Sequence, residues 1–315
     1  MTFSLTILGS SSALPTSKRF PSAHLLNVNE RFFLIDCGEG TQIQLRKYKI
    51  GFGKLNHIFI SHNHGDHVFG LFGLLASFQL LGRKSDLHIY GPENIRALIH
   101  FYKKNYMAEG DYKIIFNVVG HRRFQCIYED RSLEVFAFPL KHRTPTTGFL
   151  FREKEAELNL KKEAIKEFRP GIEEMVKIKK GEDLVLENGK IIPNQVLTLP
   201  PWKPRAYAYV SDTAINKKIA DYIREVDLLY HEATFEAKDA DLARQTFHST
   251  SVEAAEIARV AGVNKLLLGH FSTRYKKTDT ILKEARKLFE NSFVVEDGDK
   301  YVVDREREET RPSFE

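Results

Sequence analysis

The chain has 315 residues, of which 42% are hydrophobic and 28% are charged. This balance is ordinary for a globular protein and excludes a low-complexity chain, and the length suits one large domain or two halves of one. The net charge of +5 and the isoelectric point near 8.9 favour an anionic partner. The longest apolar stretch, 68–81, is too short for a membrane span, and the start does not read as a signal peptide. Because the two cysteines, Cys37 and Cys126, lack a metal-type spacing, we expect a reducing, cytoplasmic setting.

Short apolar runs alternate with turns and helix-like segments along most of the chain. The predicted strands are 3–8, 24–28, 32–35, 57–60, 87–90, 132–140, 205–210, 227–230 and 264–268. The predicted helices are 42–47, 68–81, 94–102 and 252–260. This rhythm predicts an α/β protein in which helices bury a mixed sheet.

One segment, 152–194, interrupts this rhythm with a high density of charge. Between 152 and 180 it carries nine basic and seven acidic residues, a net charge of +2. A helix is predicted over 155–168. The segment reads either as a solvated helical insertion or as an arm that grips a polyanion with its basic tip. The mixed-charge end of the chain, 304–315, is predicted to be disordered.

Four side chains that bind metals lie within the loop 61–67. They are His62, His64, Asp66 and His67, and they follow a predicted buried strand and precede a predicted helix. The carboxyl end of a strand that opens a helix is where α/β sheets build their sites. Imidazole and carboxylate without thiolate suit zinc, and less often iron or manganese. The loop therefore predicts a metal site.

Three further candidate ligands stand at the carboxyl ends of later predicted strands. They are His142, Asp212 and His270. Each alone would more often be a structural histidine or an aspartate that caps a helix. Together with the loop 61–67, they predict a centre for two metal ions.

The same regions carry several motifs that resemble one family. The motifs are those at 8–16, 36–41, 61–67, 230–235, 248–250 and 269–275. The loop 61–67 is similar to the histidine motif of the metallo-β-lactamase fold, and the whole set resembles the ribonuclease Z family of tRNA 3′-processing endonucleases. The resemblance implies a four-layer αββα sandwich of two βα halves over 1–151 and 195–303. It also implies that 152–194 is an inserted arm that binds tRNA.

The resemblance also implies a ligand set for two Zn²⁺ ions per chain, or for another divalent ion such as Mn²⁺. His62, His64 and His142 would hold the first ion. Asp66, His67 and His270 would hold the second ion, and Asp212 would bridge the pair. Two metals about 3.5–4 Å apart can bind a shared hydroxide and stabilise both oxygens of an in-line phosphoryl displacement.

The implied reaction removes the 3′ trailer of precursor tRNA by attack of the metal-bound hydroxide and leaves a 3′-hydroxyl on the tRNA. Asp66 would act as the general base. His248 would donate a proton to the leaving oxygen, and Glu232 would orient it and keep it protonated. The resemblance further implies a homodimer.

Two other classes of function stay open from the sequence. One is an enzyme of the same fold with a small substrate, such as a thioester hydrolase, a cyclic phosphodiesterase or a lactamase. The other is a non-catalytic RNA-binding homologue, which should have lost ligands or the proton donor. Five remaining histidines are predicted to be structural: His24, His57, His88, His100 and His121. His231 is predicted either to be structural or to support a ligand, and Asp36, Glu39 and Thr41 to orient ligands or cap a helix.

Overall fold

The structure is a computed structural model, and it describes residues 1–307. The chain divides into two compact units. The first unit comprises 1–129, 134–151 and 206–303, and the second comprises 130–133, 152–205 and, of the described residues after 303, 304–307. Most of the predicted disordered tail, 308–315, lies outside the described residues. Within residues 1–307, no helix has both the length and the apolar character that a membrane crossing requires.

Eighteen strands are present in the described residues. In chain order the first nine are β1 Phe3–Gly9, β2 Ala23–Val28, β3 Arg31–Ile35, β4 Leu55–Phe59, β5 Leu87–Gly91, β6 Ile114–Val118, β7 Gln125–Glu129, β8 Leu133–Pro139 and β9 Thr147–Glu153. The others are β10 Asn159–Leu160, β11 Leu184–Val185, β12 Ile191–Ile192, β13 Thr198–Leu199, β14 Ala206–Val210, β15 Leu228–Glu232, β16 Lys265–Gly269, β17 Ser292–Val294 and β18 Lys300–Val302.

Eleven α-helices lie between these strands in the described residues. They are α1 Thr41–Lys47, α2 Gly65–Val68, α3 Gly70–Leu80, α4 Arg96–Tyr106, α5 Lys162–Phe168, α6 Ile172–Lys179, α7 Asn194–Leu197, α8 Ile219–Tyr222, α9 Ala240–Thr246, α10 Ser251–Ala261 and α11 Asp279–Arg286. Short 3-10 turns lie at Phe52–Lys54 before β4, at Glu93–Ile95 before α4 and at Ala237–Asp239 before α9.

The first unit contains two seven-stranded sheets. One has the order β18-β1-β2-β3-β4-β5-β6, and the other has the order β17-β16-β15-β14-β9-β8-β7. Neighbours from β3 to β6 are parallel, as are neighbours from β14 to β17. Parallel neighbours need long crossover connections, which here contain the helices. The carboxyl ends of these strands therefore meet at one edge of each sheet.

The two sheets pack face to face through buried aromatic rings. The Phe33 ring of β3 lies 5.9 Å from the Phe151 ring of β9, and the Phe59 ring of β4 lies 5.6 Å from the Phe149 ring. Helices cover the outer faces, where α1 and α3 pack on the first sheet and α10 packs on the second. The predicted αββα sandwich is therefore confirmed.

The helix predicted over 68–81 is interrupted at Phe69. Its first part is α2, which begins at Gly65, and its second part is α3, which begins at Gly70. The Gly70 amide donates to the Cys37 carbonyl at 2.9 Å, and a Cβ at this position would lie 1.9 Å from the carbonyl oxygen of Gly38. The Gly70 amide therefore bonds the loop after β3 instead of a carbonyl of its own helix, which interrupts the helical hydrogen bonds after Phe69.

The second unit has a small core of its own. Its buried residues are Ala164, Ile178, Leu184, Ile192 and Leu197. The predicted helix 155–168 is wrong over its first half, because Asn159–Leu160 pairs with Thr198–Leu199 as strands and α5 begins only at Lys162. Backbone pairing has overridden the helical preference of a charged segment. The unit continues to Arg205, beyond the predicted end of the arm at 194.

Candidate metal centre

The loop after β4 gathers the histidines that the sequence singles out. His62 is fully buried, and its Nε2 lies 3.0 Å from Nδ1 of His64. His142 follows β8, and its Nε2 lies 3.3 Å from the same His64 nitrogen. Asp212 follows β14 and completes this group, because its Oδ2 lies 3.6 Å from His62 Nε2 and 3.7 Å from His142 Nε2.

A second group of ligand atoms lies on the other side of Asp212. Its members are Asp66, His67 and His270. Asp66 Oδ2 lies 3.5 Å from His67 Nε2 and 3.4 Å from His270 Nε2. The Oδ1 atom of Asp212 lies 3.3 Å and 3.2 Å from the same two nitrogens. The two carboxylate oxygens of Asp212 therefore face separate groups.

Two buried atoms at the centre have no hydrogen-bond partner among the described residues. They are Nε2 of His67 and Oδ1 of Asp212. Burying a polar atom without a partner is costly, and a cation between them would satisfy both atoms. The donor set contains imidazole nitrogens and carboxylate oxygens and no thiolate, which suits zinc or a similar divalent ion. These residues therefore fit a pair of metal ions.

The protonation of the histidines is consistent with this interpretation. Burial lowers the pKa of His62, His64 and His142, so these imidazoles are neutral and have a free lone pair. Burial also lowers the pKa of His67, but the charges of the nearby carboxylates, chiefly Asp212, outweigh burial and raise it well above its usual range. Without metal, His67 therefore carries a proton whose positive charge balances the nearby carboxylates, and metal binding would release this proton.

The Nδ1 atoms of four candidate ligand histidines contact neighbouring groups, which leaves each Nε2 free to face the centre. The pairs are His62 with Ser61 Oγ at 3.0 Å, His67 with Asp36 Oδ2 at 2.7 Å, His142 with the Phe247 carbonyl at 2.9 Å, and His270 with Thr234 Oγ1 at 2.9 Å. Such partners fix the tautomer and the orientation of a ligand imidazole. His64 differs, because it presents Nδ1 to its neighbours.

Asp36 has the most extensive supporting role. Its Oδ2 also accepts a hydrogen bond from the Tyr209 hydroxyl at 2.6 Å, and its Oδ1 accepts one from the Ser61 amide at 2.7 Å. The prediction that Asp36 orients a ligand is therefore in accord with the structure. Thr41 instead bonds the Gly38 carbonyl, at 2.6 Å. Tyr209 was not predicted, because it belongs to an alternating strand sequence with no polar motif.

His248 lies beside the metal ligands and bonds a buried carboxylate. Its Nδ1 lies 2.9 Å from Oε1 of Glu232, and its ring lies 5.1 Å from the His142 ring and 5.4 Å from the His270 ring. Burial lowers the pKa of His248, but the charge and hydrogen bond of Glu232 outweigh burial and raise the pKa to about 9. His248 can therefore carry a proton at neutral pH. A ligand atom of His248 also lies within 4.8 Å of ligand atoms from Asp212 and His270.

None of the histidines predicted to be structural belongs to the two ligand groups. His24 is buried between the sheets, where its Nδ1 lies 3.0 Å from the Tyr207 hydroxyl. His57 and His88 stack on adjacent strands with their rings 5.3 Å apart. The Nδ1 atom of His231 lies 2.7 Å from the Glu232 carbonyl. We find no contact of His231 with a candidate ligand among the described hydrogen bonds.

The arrangement of sheets and ligands defines a metallo-β-lactamase fold. A metallo-β-lactamase fold protein of Bacillus subtilis is 19% identical, with a TM-score of 0.67 over 96% of this chain and 100% of that one. The short form of human tRNase Z is 26% identical, with a TM-score of 0.68 over 95% and 98% of the chains. A sequence profile described as Anti-Pycsar protein Apyc1 matches residues 3–150.

Curated relatives narrow the assignment within this fold. Ribonuclease Z of Phocaeicola vulgatus is 43% identical over 302 residues, which are 96% of this chain and 98% of the relative. Ribonuclease Z of Porphyromonas gingivalis is 45% identical over 287 residues, 91% and 94% of the two chains. This chain therefore belongs to the ribonuclease Z family.

Proposed function

We propose that this protein is a metal-dependent endoribonuclease that removes the 3′ trailer from precursor tRNA. The observation that carries the proposal is the position of Asp212, whose two oxygens face two separate groups of metal-binding side chains. The relatives named ribonuclease Z and the likeness to human tRNase Z support the substrate. The product tRNA carries a 3′-hydroxyl.

The two ligand groups are assigned one divalent ion each, with zinc preferred. His62, His64 and His142 would hold one, Asp66, His67 and His270 would hold the other, and Asp212 would contribute to both. When bound, such ions make a water molecule more acidic and neutralise the charge of the scissile phosphate.

The residues of the chain have separate roles in the proposed reaction. A water oxygen forms a bond to phosphorus, and the bond between phosphorus and the ribose 3′-oxygen breaks. Burial raises the pKa of Asp66, but the His67 charge and the His270 hydrogen bond hold it well below its usual range. The charge of a bound cation would act in the same direction as that of His67, so Asp66 is a carboxylate that accepts a hydrogen bond from the water and takes up the proton that the water loses. His248 gives its Nε2 proton to the leaving oxygen, and the phosphate stays on the trailer.

The alternative functions have less support. A non-catalytic homologue should have lost part of the site, whereas this chain brings together all seven predicted ligands and also pairs His248 with Glu232. An enzyme for a small substrate would have no need of the charged second unit.

Cleavage mapping tests the proposal directly. The purified protein, with its metal content measured, is incubated with precursor tRNA that carries a 3′ trailer, and both product ends are mapped. We expect one cut that leaves a 3′-hydroxyl on the tRNA and a 5′-phosphate on the trailer. His62→Ala is the matched inactive control. Intact precursor after incubation with metal-loaded protein would overturn the proposal.

Two further features belong to the same proposal. The second unit acts as a tRNA-binding arm through basic residues of α6 and its C-terminal end, among them Lys177, Lys179 and Lys180.

The protein forms a homodimer, for which the exposed apolar residues Leu80 and Leu81 at the end of α3 provide contact area. Light scattering tests the dimer, because Leu80→Arg should shift the measured mass to that of one chain. The cytoplasm suits both the substrate and the two free cysteines.

A further inference from the structure

An exposed aromatic ring lies directly beside the candidate metal ligands. Phe69 is 70% exposed, although a phenylalanine is usually buried. It borders a cavity of about 360 Å³. Its lining includes the candidate ligands His64 and Asp66 and the apolar residues Ala13, Pro15, Pro21 and Phe69. A mostly apolar recess therefore opens onto the metal centre.

The backbone holds the Phe69 ring at this place. Phe69 is the residue at which α2 ends and α3 begins, and its ring lies against Gly65. A Cβ at Gly65 would approach the ring to 2.3 Å, so a side chain there would displace the ring. The glycine thus allows the ring to lie flat on the helix and expose its outer face.

The charge of the recess decides which part of a nucleic acid fits it. The exposed carboxylate of Glu39 lines the recess together with the Phe69 ring. This carboxylate repels a phosphate, whereas an uncharged flat base can stack on the ring. An aromatic face binds any base, because every base has a π-face.

We propose that Phe69 is the stacking surface for the nucleobase on the trailer side of the scissile phosphate. The proposal rests on the proposed function, because that function places the scissile phosphate between the two ligand groups. His248 marks the side of the leaving 3′-oxygen, and its ring neighbours are His142, His270 and Phe235. None of these three residues lines the recess, so the recess does not belong to the side of the leaving oxygen. It is therefore assigned to the first trailer nucleotide, which keeps the phosphate.

A nucleotide ester tests this subsite without tRNA. Thymidine 5′-(4-nitrophenyl) phosphate carries a base on the side that keeps the phosphate, and methyl 4-nitrophenyl phosphate carries none. The wild-type protein should show a higher kcat/KM for the thymidine ester, by about 5- to 100-fold. Phe69→Ala should abolish this preference and leave hydrolysis of the methyl ester unchanged. Phe101→Ala, which removes another half-exposed phenylalanine, on α4, is the matched control and should retain the preference.

Precursor tRNA with a single abasic nucleotide then locates the base. An abasic first trailer nucleotide should slow tRNA cleavage by the wild-type protein by about the same factor as the Phe69→Ala substitution does with intact tRNA. Combining the abasic nucleotide with Phe69→Ala should slow cleavage no further than either change alone. Additive losses, an abasic effect only on the tRNA side, or no preference for the thymidine ester would overturn the proposal. So would loss of the dimer in Phe69→Ala, which would mean that a second copy covers the ring. Failure of wild-type protein to cut precursor tRNA would refute the proposed function alone, since the ester assay reports on Phe69 separately.

Discussion

Nδ1 of His248 lies 2.9 Å from Oε1 of Glu232, and this contact directs the other ring nitrogen of His248 away from the carboxylate. Glu232 is fully buried, and it also accepts hydrogen bonds from the amides of Thr213, Thr234 and Ser249. Backbone amides therefore hold the Glu232 carboxylate in place, and the carboxylate in turn orients the His248 imidazole. Glu232, held in this way, can position His248 as a proton donor beside the candidate metal ligands without belonging to either ligand group.

Substitution of His248 should separate chemistry from metal binding. We expect His248→Ala to lower kcat on precursor tRNA by about 10²–10⁴, the usual contribution of a general acid. Metal content and tRNA affinity should stay close to those of the wild-type protein. The loss should be smaller for a nitrophenyl phosphodiester, because nitrophenolate departs without a proton. An emptied metal site, measured by elemental analysis, would instead make His248 a ligand.

The pH dependence should show an alkaline limit that Glu232 sets. His248 is active when protonated, and its pKa is raised to about 9, so activity should fall as the pH rises through that value. Bound cations would move the midpoint lower, because they repel the imidazolium. Glu232→Gln removes the charge that raises the pKa and should shift the midpoint toward the ordinary value of 6.5. The check is kcat/KM measured from pH 6 to about 10 for both proteins; an identical midpoint would contradict the assignment.

Asp212 should be the ligand whose loss affects both ions. Each of its oxygens faces one ligand group, so Asp212→Ala should reduce the total metal bound as well as the rate. Asp221→Ala is the control, because Asp221 is an exposed carboxylate of α8 that pairs with Arg224. Elemental analysis after gel filtration gives the metal content. Full occupancy in Asp212→Ala would show that Asp212 is not a shared ligand.

Tyr209 should influence the metal although it touches none of the ligands. Its hydroxyl donates to Asp36, which in turn holds His67. Tyr209→Phe should therefore weaken metal affinity by about 10-fold, at the lower end of the effect of such supporting groups. Tyr207→Phe is a close control, since Tyr207 is a buried tyrosine of the same strand that bonds His24 instead. A competition titration with a chelating dye compares the two, and equal affinities would remove Tyr209 from the metal network.

The structure brings together the seven ligands that the sequence predicts, whereas several of the contacts that support them were not predicted. Ligands such as His142 and His270 could be found because polar residues at the ends of apolar strands form a visible pattern. Thr234 contacts His270, and Tyr209 contacts Asp36, the partner of His67, across sequence separations that a local pattern does not reveal. The same limit explains the error over 155–168, where pairing of Asn159–Leu160 with Thr198–Leu199 depends on residues far along the chain. The interruption at Phe69 arises from packing on Gly38, which is equally non-local.

Removal of the arm should separate tRNA binding from catalysis, provided that the deletion respects the second unit. Cutting out only 155–190 would leave Ile192 and Leu197 without their core, so the deletion should cover 155–199 and be closed by a glycine–serine linker. This preserves the ion pair of Arg205 with Glu153, at 2.8 Å. All seven predicted ligands lie in the first unit, so hydrolysis of a nitrophenyl phosphodiester should be nearly unchanged.

The KM for precursor tRNA should rise on this deletion, and its salt dependence should become shallower, because contacts with phosphates are lost. Replacing Lys177, Lys179 and Lys180 with glutamine is the control that leaves the arm in place, and it should reproduce part of both effects. Thermal unfolding and the phosphodiester assay establish that each variant is folded. A folded deletion with the wild-type KM for tRNA would mean that the charged unit is a solvated insertion, the interpretation that its net charge of +2 over 152–180 leaves open.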